Sequence, residues 1–412
     1  MKRNAISVLQ KWKNEATRNP FYLTGIKGVG KTYLAYDFAN DFFESYLYLC
    51  FEHNKELVDY LESLEVSETL TALADYFEIP EELLYTTPFI FDEIYLCPNF
   101  IQKLWTAVEQ RQDLFWIFIS SYNVPELKMS KQFFEYTLYP IQFDEFLIAI
   151  GKEWYVEVIK AHCASKKKIP DIVHQELLST FDEYLFLGGM PGVINEYLMM
   201  ESSINVPERQ YIEKQILANG ILEIAEEGLG YKCRQIYSTI EEQLKKANQK
   251  FQFNIIRKGI TYQMYQPAID FLTMHHIAYR INHLEKEQQF KLFHADFSLL
   301  PSSRNGELTS VERQIRLQNY LIQTLAECHA DFYFWESKSQ ASIDFIVKKE
   351  DVYFPIVLKE EGKSKSKSIH SFATQYNIGN CVRISGSNFV ENDEVVVLPA
   401  YSLFCLKNMI DK

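Results

Sequence analysis

The sequence predicts an α/β protein whose N-terminal part is a parallel β-sheet with helices on both faces. Short apolar runs alternate there with stretches of helical period, and a glycine-rich turn joins the first strand run to the helix after it. From about residue 143 the strand runs disappear and helical patterns take over, and short strands return only in the last hundred residues. A chain of 412 residues has room for two or three domains at roughly 150 residues each.

Ile6, Leu9, Trp12 and Ala16 recur at helical spacing, and Phe21-Tyr22-Leu23 reads as the first strand. Beyond the turn, Leu34, Ala35, Phe38 and Phe42 mark one helix face, and Tyr46 to Phe51 reads as a buried strand. Phe89-Ile90-Phe91 and Leu114 to Ile119 are two further strands, flanking a helix that carries Phe100, Ile101, Leu104, Trp105 and Val108. Strands separated by helices imply parallel pairing. Phe143 through Leu198 reads as helical, interrupted by Ser165 to Lys168 and by Gly188-Gly189-Met190-Pro191. Residues 205 to about 297 are helical and end in a hairpin of Ile277–Ile281 with Phe290–Phe293. A helix from Ile315 to Leu325 then leads to strands at Phe332–Trp335, Ile343–Val347 and Tyr353–Leu358. No internal repeat is visible.

Composition excludes the fibrous and disordered classes, because 47% of residues are hydrophobic and 24% charged, with only 15 Gly and 13 Pro. No apolar run approaches the roughly 18 residues of a membrane helix, so the expected location is the cytoplasm, without membrane contact. A net charge of −13 opposes non-specific adsorption to nucleic acid or anionic membrane. The seven cysteines contain no C-x-x-C pair, so neither a zinc cluster nor a disulfide framework is indicated.

Gly25-Ile26-Lys27-Gly28-Val29-Gly30-Lys31-Thr32 fits G-x-x-x-x-G-K-[ST] between a strand and a helix. Glycines there let backbone N–H groups turn inward around phosphate oxygens, Lys31 reaches the β- and γ-phosphates, and the Thr32 hydroxyl ligates Mg2+. The candidate ATP-binding residues are therefore Gly25 to Thr32 with the adjoining Tyr33. Phe89-Ile90-Phe91-Asp92-Glu93 is an apolar strand ending in two carboxylates, which assigns Asp92 to Mg2+ and Glu93 to the attacking water. Lys31 and Glu93 are the candidate catalytic pair. The strand Trp116–Ile119 ends in Ser120-Ser121-Tyr122-Asn123, so Ser121 or Asn123 is a candidate γ-phosphate sensor, with ordinary turn chemistry as the alternative.

Together with Leu138 to Phe146, Gly188 to Pro191, Lys291 to Asp296 and Ile343 to Ile346, these motifs resemble a family of prokaryotic AAA-type ATPases. In that family a P-loop core is joined to a lid, a winged helix and a restriction-endonuclease-like C-terminal domain. The resemblance implies a P-loop core over 1–140, a helical lid over 141–204, a winged helix over 205–300 and an α/β endonuclease-like domain over 301–412. It also implies an adenine contact at Pro191.

The departures from the family pattern carry consequences. The Gly-Arg pair that members carry before the tyrosine-proline segment is missing from Ser130 to Tyr136, and Lys131 lacks the bidentate fork of an arginine, so slow hydrolysis, or an arginine supplied by a partner, is expected. In the C-terminal domain Gln318 stands where a metal-binding Glu belongs, and Val357 occupies the carboxylate position of a Glu-x-Lys that ends at Lys359. With Asp344 alone, nuclease activity is not expected, and Asp344 with Lys359 is left as an ion pair.

Residues 231–265 carry seven basic and two acidic side chains, which makes DNA one candidate partner and solvated surface the other reading. The run Lys363 to Ser368 reads as a surface loop, and His275-His276 as packing rather than metal binding. The expected function is an ATP-dependent switch or weak ATPase with ATP and Mg2+ as ligands and a protein partner or homo-oligomer. The alternative is a nucleotide-regulated DNA-binding or adaptor protein in which hydrolysis is incidental.

Overall fold

The computed structural model describes residues 1–15, 18–80, 83–124, 132–200, 205–300, 307–337, 341–358, 366–391 and 395–406. The chain forms two compact units, 2–139 and 140–412.

The first unit is built on β1 (Phe21–Thr24), β2 (Leu47–Cys50), β3 (Pro88–Asp92), β4 (Phe115–Ser120) and β5 (Phe134–Thr137), in the order β2-β3-β4-β1-β5. All pairs are parallel. Helix α1 (Ile6–Lys13) precedes β1, and α2 (Lys31–Phe42), α3 (Lys55–Ser63), α4 (Val66–Tyr76) and α5 (Pro98–Gln110) lie between the strands that follow. Alternate residues of the central strands face opposite layers. Tyr22, Phe89, Phe91, Trp116 and Phe118 pack with Val58, Leu61, Leu73, Phe100 and Leu104 of α3, α4 and α5. On the other face the Trp12 ring meets Phe21 at 5.3 Å, Phe115 at 6.0 Å and Phe38 at 6.4 Å. Both faces are therefore dry, which is why β3 and β4 read as continuous apolar runs. Truncating a buried ring such as Phe91 would cost about 3–5 kcal/mol. The edge strand β5 is only partly buried and has no apolar run, so it gives no strand signal in the sequence.

Register aligns the C-terminal ends of the strands. Thr24 pairs with Ser120, and Asp92 lies between Cys50 and Ile119. In an open parallel sheet this edge is where ligands bind.

The second unit begins with helices α6 (Phe143–Ala149), α7 (Glu153–Ser165), α8 (Asp171–Leu187) and α9 (Pro191–Met200). Next come α10 (Val206–Ile224), α11 (Glu227–Leu244), α12 (Tyr262–Met274) and the antiparallel hairpin β6 (Ala278–His283) with β7 (Phe290–His294). The remainder is α13 (Ser310–Glu327), β8 (Asp331–Glu336), β9 (Ser342–Lys349), β10 (Val352–Leu358), α14 (Ser366–Ala373), β11 (Cys381–Ser385), β12 (Val390–Glu391) and β13 (Val395–Pro399). These strands make one mixed sheet, β12-β13-β11-β10-β9-β8-β6-β7. The hairpin is thus continuous with the C-terminal strands through the parallel pairing of Asn282 with Tyr333.

Helix α13 is buried on all sides from Ile315 to Leu325, so its polar side chains must find partners. Arg316 donates to the carbonyls of Leu185, Phe186 and Leu300, Asn319 to that of His294, and Gln323 to that of Pro140.

Candidate nucleotide site

Where β1 ends, Gly25, Gly28 and Gly30 take φ of +145°, +86° and +96°, and α2 starts at Lys31. A Cβ on Gly25 would stand 2.4 Å from the Leu138 carbonyl oxygen, so only glycine fits there. Ile26 and Val29 are buried beneath the loop, and Tyr33 is exposed. The loop is tied down by Arg3, whose buried guanidinium donates to the carbonyls of Val29 (3.0 Å) and Tyr139 (2.6 Å).

The Lys31 ammonium is buried and donates to the carbonyls of Gly25 (3.0 Å) and Ile26 (3.2 Å) and to Ser121 Oγ (2.9 Å). An ammonium has three donors, and here all three are used. Burial pushes its pKa below the usual lysine value, against the opposing pull of Glu93 and Asp92.

At the end of β3, Asp92 is the hub. Its Oδ2 accepts from Thr32 Oγ1 at 2.6 Å and from the Tyr48 hydroxyl at 2.8 Å, and its Oδ1 accepts from the Glu93 N–H at 2.9 Å. Burial and the Asp92 charge raise the Tyr48 pKa, so Tyr48 acts there as a donor.

Glu93 sits in the left-handed region at φ +58°, uncommon for a non-glycine residue and the kind of strain that accumulates at functional sites. Its carboxylate accepts from the Ser121 N–H at 2.9 Å and from Ser121 Oγ at 2.5 Å. A continuous hydrogen-bond chain therefore runs from Lys31 through Ser121 to Glu93. Lys27 points away from it and pairs with Glu52 at 3.0 Å.

Residues 17–147 match the family described as AAA domain. The N-terminal unit is an AAA-type P-loop ATPase domain. Farther along, residues 178–308 match a domain of unknown function (DUF8612) and residues 316–403 another (DUF4143). No curated protein matches the chain. Among solved structures, the RuvB Holliday junction branch migration motor of Thermotoga maritima aligns over 70% of this chain and 89% of its own, at 15% identity and a TM-score of 0.30. A point variant of that motor aligns over 70% and 88%, at 15% identity and 0.29.

In the AAA-type domain the donor set fits a magnesium nucleotide. Thr32 and Asp92 offer oxygen ligands suited to a hard cation, and positive-φ glycines open the backbone in front of α2. Of the two candidate sensors, Ser121 makes the contacts to Lys31 and Glu93, while Asn123 lies two residues farther along. Lys131 lies outside the described residues. Tyr48 and Arg3 give no sequence signal, since nothing marks a strand tyrosine or an N-terminal arginine as a support for a loop distant in the chain.

Pro191 belongs to the second unit, where it opens α9. Gln318 Oε1 accepts from Gln249 Nε2 at 2.7 Å, Val357 is buried in β10, and Asp344 lies half-buried on β9. Lys359, like 361–365, lies outside the described residues. Within the basic segment Lys245 pairs with Glu241, Lys250 pairs with Glu336, and Lys232 donates to the Met264 carbonyl. His275 is buried, its pKa pushed down to about 4 by burial and by His276. No helix among the described residues is long and apolar enough to cross a membrane.

Proposed function

We propose that the chain is an ATP-dependent switch that binds Mg-ATP at Gly25 to Thr32, with Tyr33 at the rim, and hydrolyses it slowly. The observation that carries this reading is the linked arrangement of Lys31, Ser121 and Glu93 beside the Thr32–Asp92 pair. Mg2+, when bound, neutralises charge on the phosphate oxygens. Thr32 and Asp92 would hold it, Lys31 would face the β- and γ-phosphates, and Glu93 would orient and deprotonate water.

Two features support slow turnover. Glu93 accepts two hydrogen bonds from Ser121 that an attacking water would have to compete with, and no arginine occurs from Ser130 to Tyr136.

For the rest of the chain we read 141–204 as a lid with Pro191 against the adenine, 205–300 as a winged helix, and 301–412 as an endonuclease-like domain without activity. The succession α10, α11, α12 and the β6–β7 hairpin supports the second assignment, and the order α13, β8, β9, β10, α14, β11 the third. Residues 318 and 357 supply no carboxylate for a nuclease metal. With Lys245 and Lys250 already paired to glutamates, a protein partner or a second copy of the chain is favoured over DNA.

The test is Lys31→Ala, which removes the charge facing the phosphates and is expected to abolish binding of a fluorescent ATP analogue. Unchanged affinity would overturn the assignment.

A further inference from the structure

Strand β2 ends at Cys50, and the turn after it brings three different ligand types together. Cys50 Sγ, a Glu52 carboxylate oxygen and a His53 ring nitrogen all lie within 4.8 Å of one another, with Cys50 buried and the other two exposed. Ligands of a tetrahedral zinc ion stand about 3.5 Å apart, given bond lengths of about 2.3 Å to sulfur and 2.0–2.1 Å to nitrogen. Glu52 and His53 are exposed and have room to turn toward the buried Cys50 sulfur. We propose that Cys50, Glu52 and His53 form a binding site for a borderline-soft divalent cation of the zinc class, with water completing the coordination.

The ligand set decides the class. A thiolate with an imidazole selects zinc-like ions over Mg2+, which prefers all-oxygen ligands. The His53 N–H donates to the Cys50 carbonyl oxygen at 3.2 Å, which closes the turn that carries the other two ligands. A metal binds the thiolate form of a cysteine, so the buried thiol has to give up its proton. Binding therefore breaks the S–H bond, forms a metal–sulfur bond and releases one proton to solvent, with no change of oxidation state. The exposed Glu52 and His53 give the ion its path from solvent.

The site is independent of the nucleotide reading but borders on it. Glu52 is the partner of Lys27 in the phosphate loop, so a metal that takes the Glu52 carboxylate competes with that ion pair. Sequence rules that look for paired cysteines pass over this turn, because only one of its ligands is a cysteine.

The experiment titrates Co2+ into the full-length chain without nucleotide and follows the sulfur-to-cobalt charge-transfer absorption. It should saturate at one equivalent, disappear in Cys50→Ser, and be displaced by Zn2+. In His53→Ala and Glu52→Gln, both changes at exposed positions, the apparent Kd should rise at least tenfold each while ATP-analogue affinity stays measurable. No charge-transfer band in the wild type, a band that survives in Cys50→Ser, or equal affinity in wild type and His53→Ala would overturn the site. Loss of ATP binding in the unaltered protein would instead count against the nucleotide assignment and leave the cobalt result standing.

Discussion

Replacing Ser121 by alanine tests the hydrogen-bond chain at its centre. The hydroxyl accepts from Lys31 at 2.9 Å and donates to Glu93 at 2.5 Å, so the substitution deletes two buried bonds to charged groups. Such bonds contribute about 1.5–3 kcal/mol each. Lys31 keeps the carbonyls of Gly25 and Ile26, and Glu93 keeps the Ser121 N–H, so we place the loss in the nucleotide-free protein at about 2–4 kcal/mol. Nucleotide affinity should move the other way. All three Lys31 donors are occupied, and turning one toward a phosphate means giving up a present partner. Where the Ser121 bond no longer exists, that cost vanishes, and ATP should bind tighter by about tenfold to a hundredfold. Thermal melts with and without Mg-ATP, alongside titration of a fluorescent analogue, read both effects. A mutant equal to wild type in stability and affinity would refute the idea that Ser121 holds the two charged groups together.

Glu93→Gln should keep nucleotide affinity within a few fold and lower turnover by about 10²-fold or more, since the amide keeps the shape and loses the base. Equal hydrolysis by both proteins would remove Glu93 from the mechanism. His275 supplies a pH test: its folded pKa of about 4 lies below the unfolded value near 6.5. Its neutral form is built into the fold, so stability present above pH 6.5 should be lost as pH falls toward 4, by about 3 kcal/mol. His275→Gln should flatten denaturant-derived stability across that window, and an unchanged slope would discount the residue. The full chain should not cut DNA with Mg2+ or Mn2+. Metal-dependent cleavage that disappears in Asp344→Ala would overturn that expectation.

The phosphate loop and β3 were legible in the sequence because their chemistry is local. Glycines at fixed spacing, a lysine and threonine at a helix start, and carboxylates ending an apolar run all lie within a few residues of their roles. Strand β5 was not legible, since Phe134 to Thr137 at the sheet edge show neither a continuous apolar run nor a clean alternation. The supports of the site were missed for a different reason. Tyr48 reaches Asp92 across paired strands, and Arg3 reaches Val29 and Tyr139 across most of the unit, so no spacing rule connects them. The hairpin at Ile277 to Phe293 is legible in the sequence, but its continuity with β8 depends on the Asn282 to Tyr333 pairing, a long-range choice that local periodicity does not encode.

The segment Gly188-Gly189-Met190-Pro191 shows how a motif can have a physical cause in its own unit. A Cβ on Gly188 would fall 2.2 Å from the Ser298 side chain, and one on Gly189 would fall 2.6 Å from Asp296 Oδ2 and 2.7 Å from the Ile141 carbonyl oxygen. The Gly189 N–H donates to both Asp296 oxygens, at 3.0 and 3.2 Å, and the Ser298 N–H donates to Oδ1 at 2.8 Å. Burial raises the Asp296 pKa, while those bonds and the nearby Arg316 pull it back down. Two glycines are thus needed so that the turn into α9 can lie against the residues following β7, whatever Pro191 touches. The same reasoning covers the Lys291 to Asp296 segment, whose aspartate is the other half of this joint. Because Asp296 is fully buried, replacing it with alanine would leave the Gly189 and Ser298 N–H groups unpaired at about 1–3 kcal/mol each. Any movement of the Pro191 turn therefore has to carry the β6–β7 end of the eight-stranded sheet with it or break this joint.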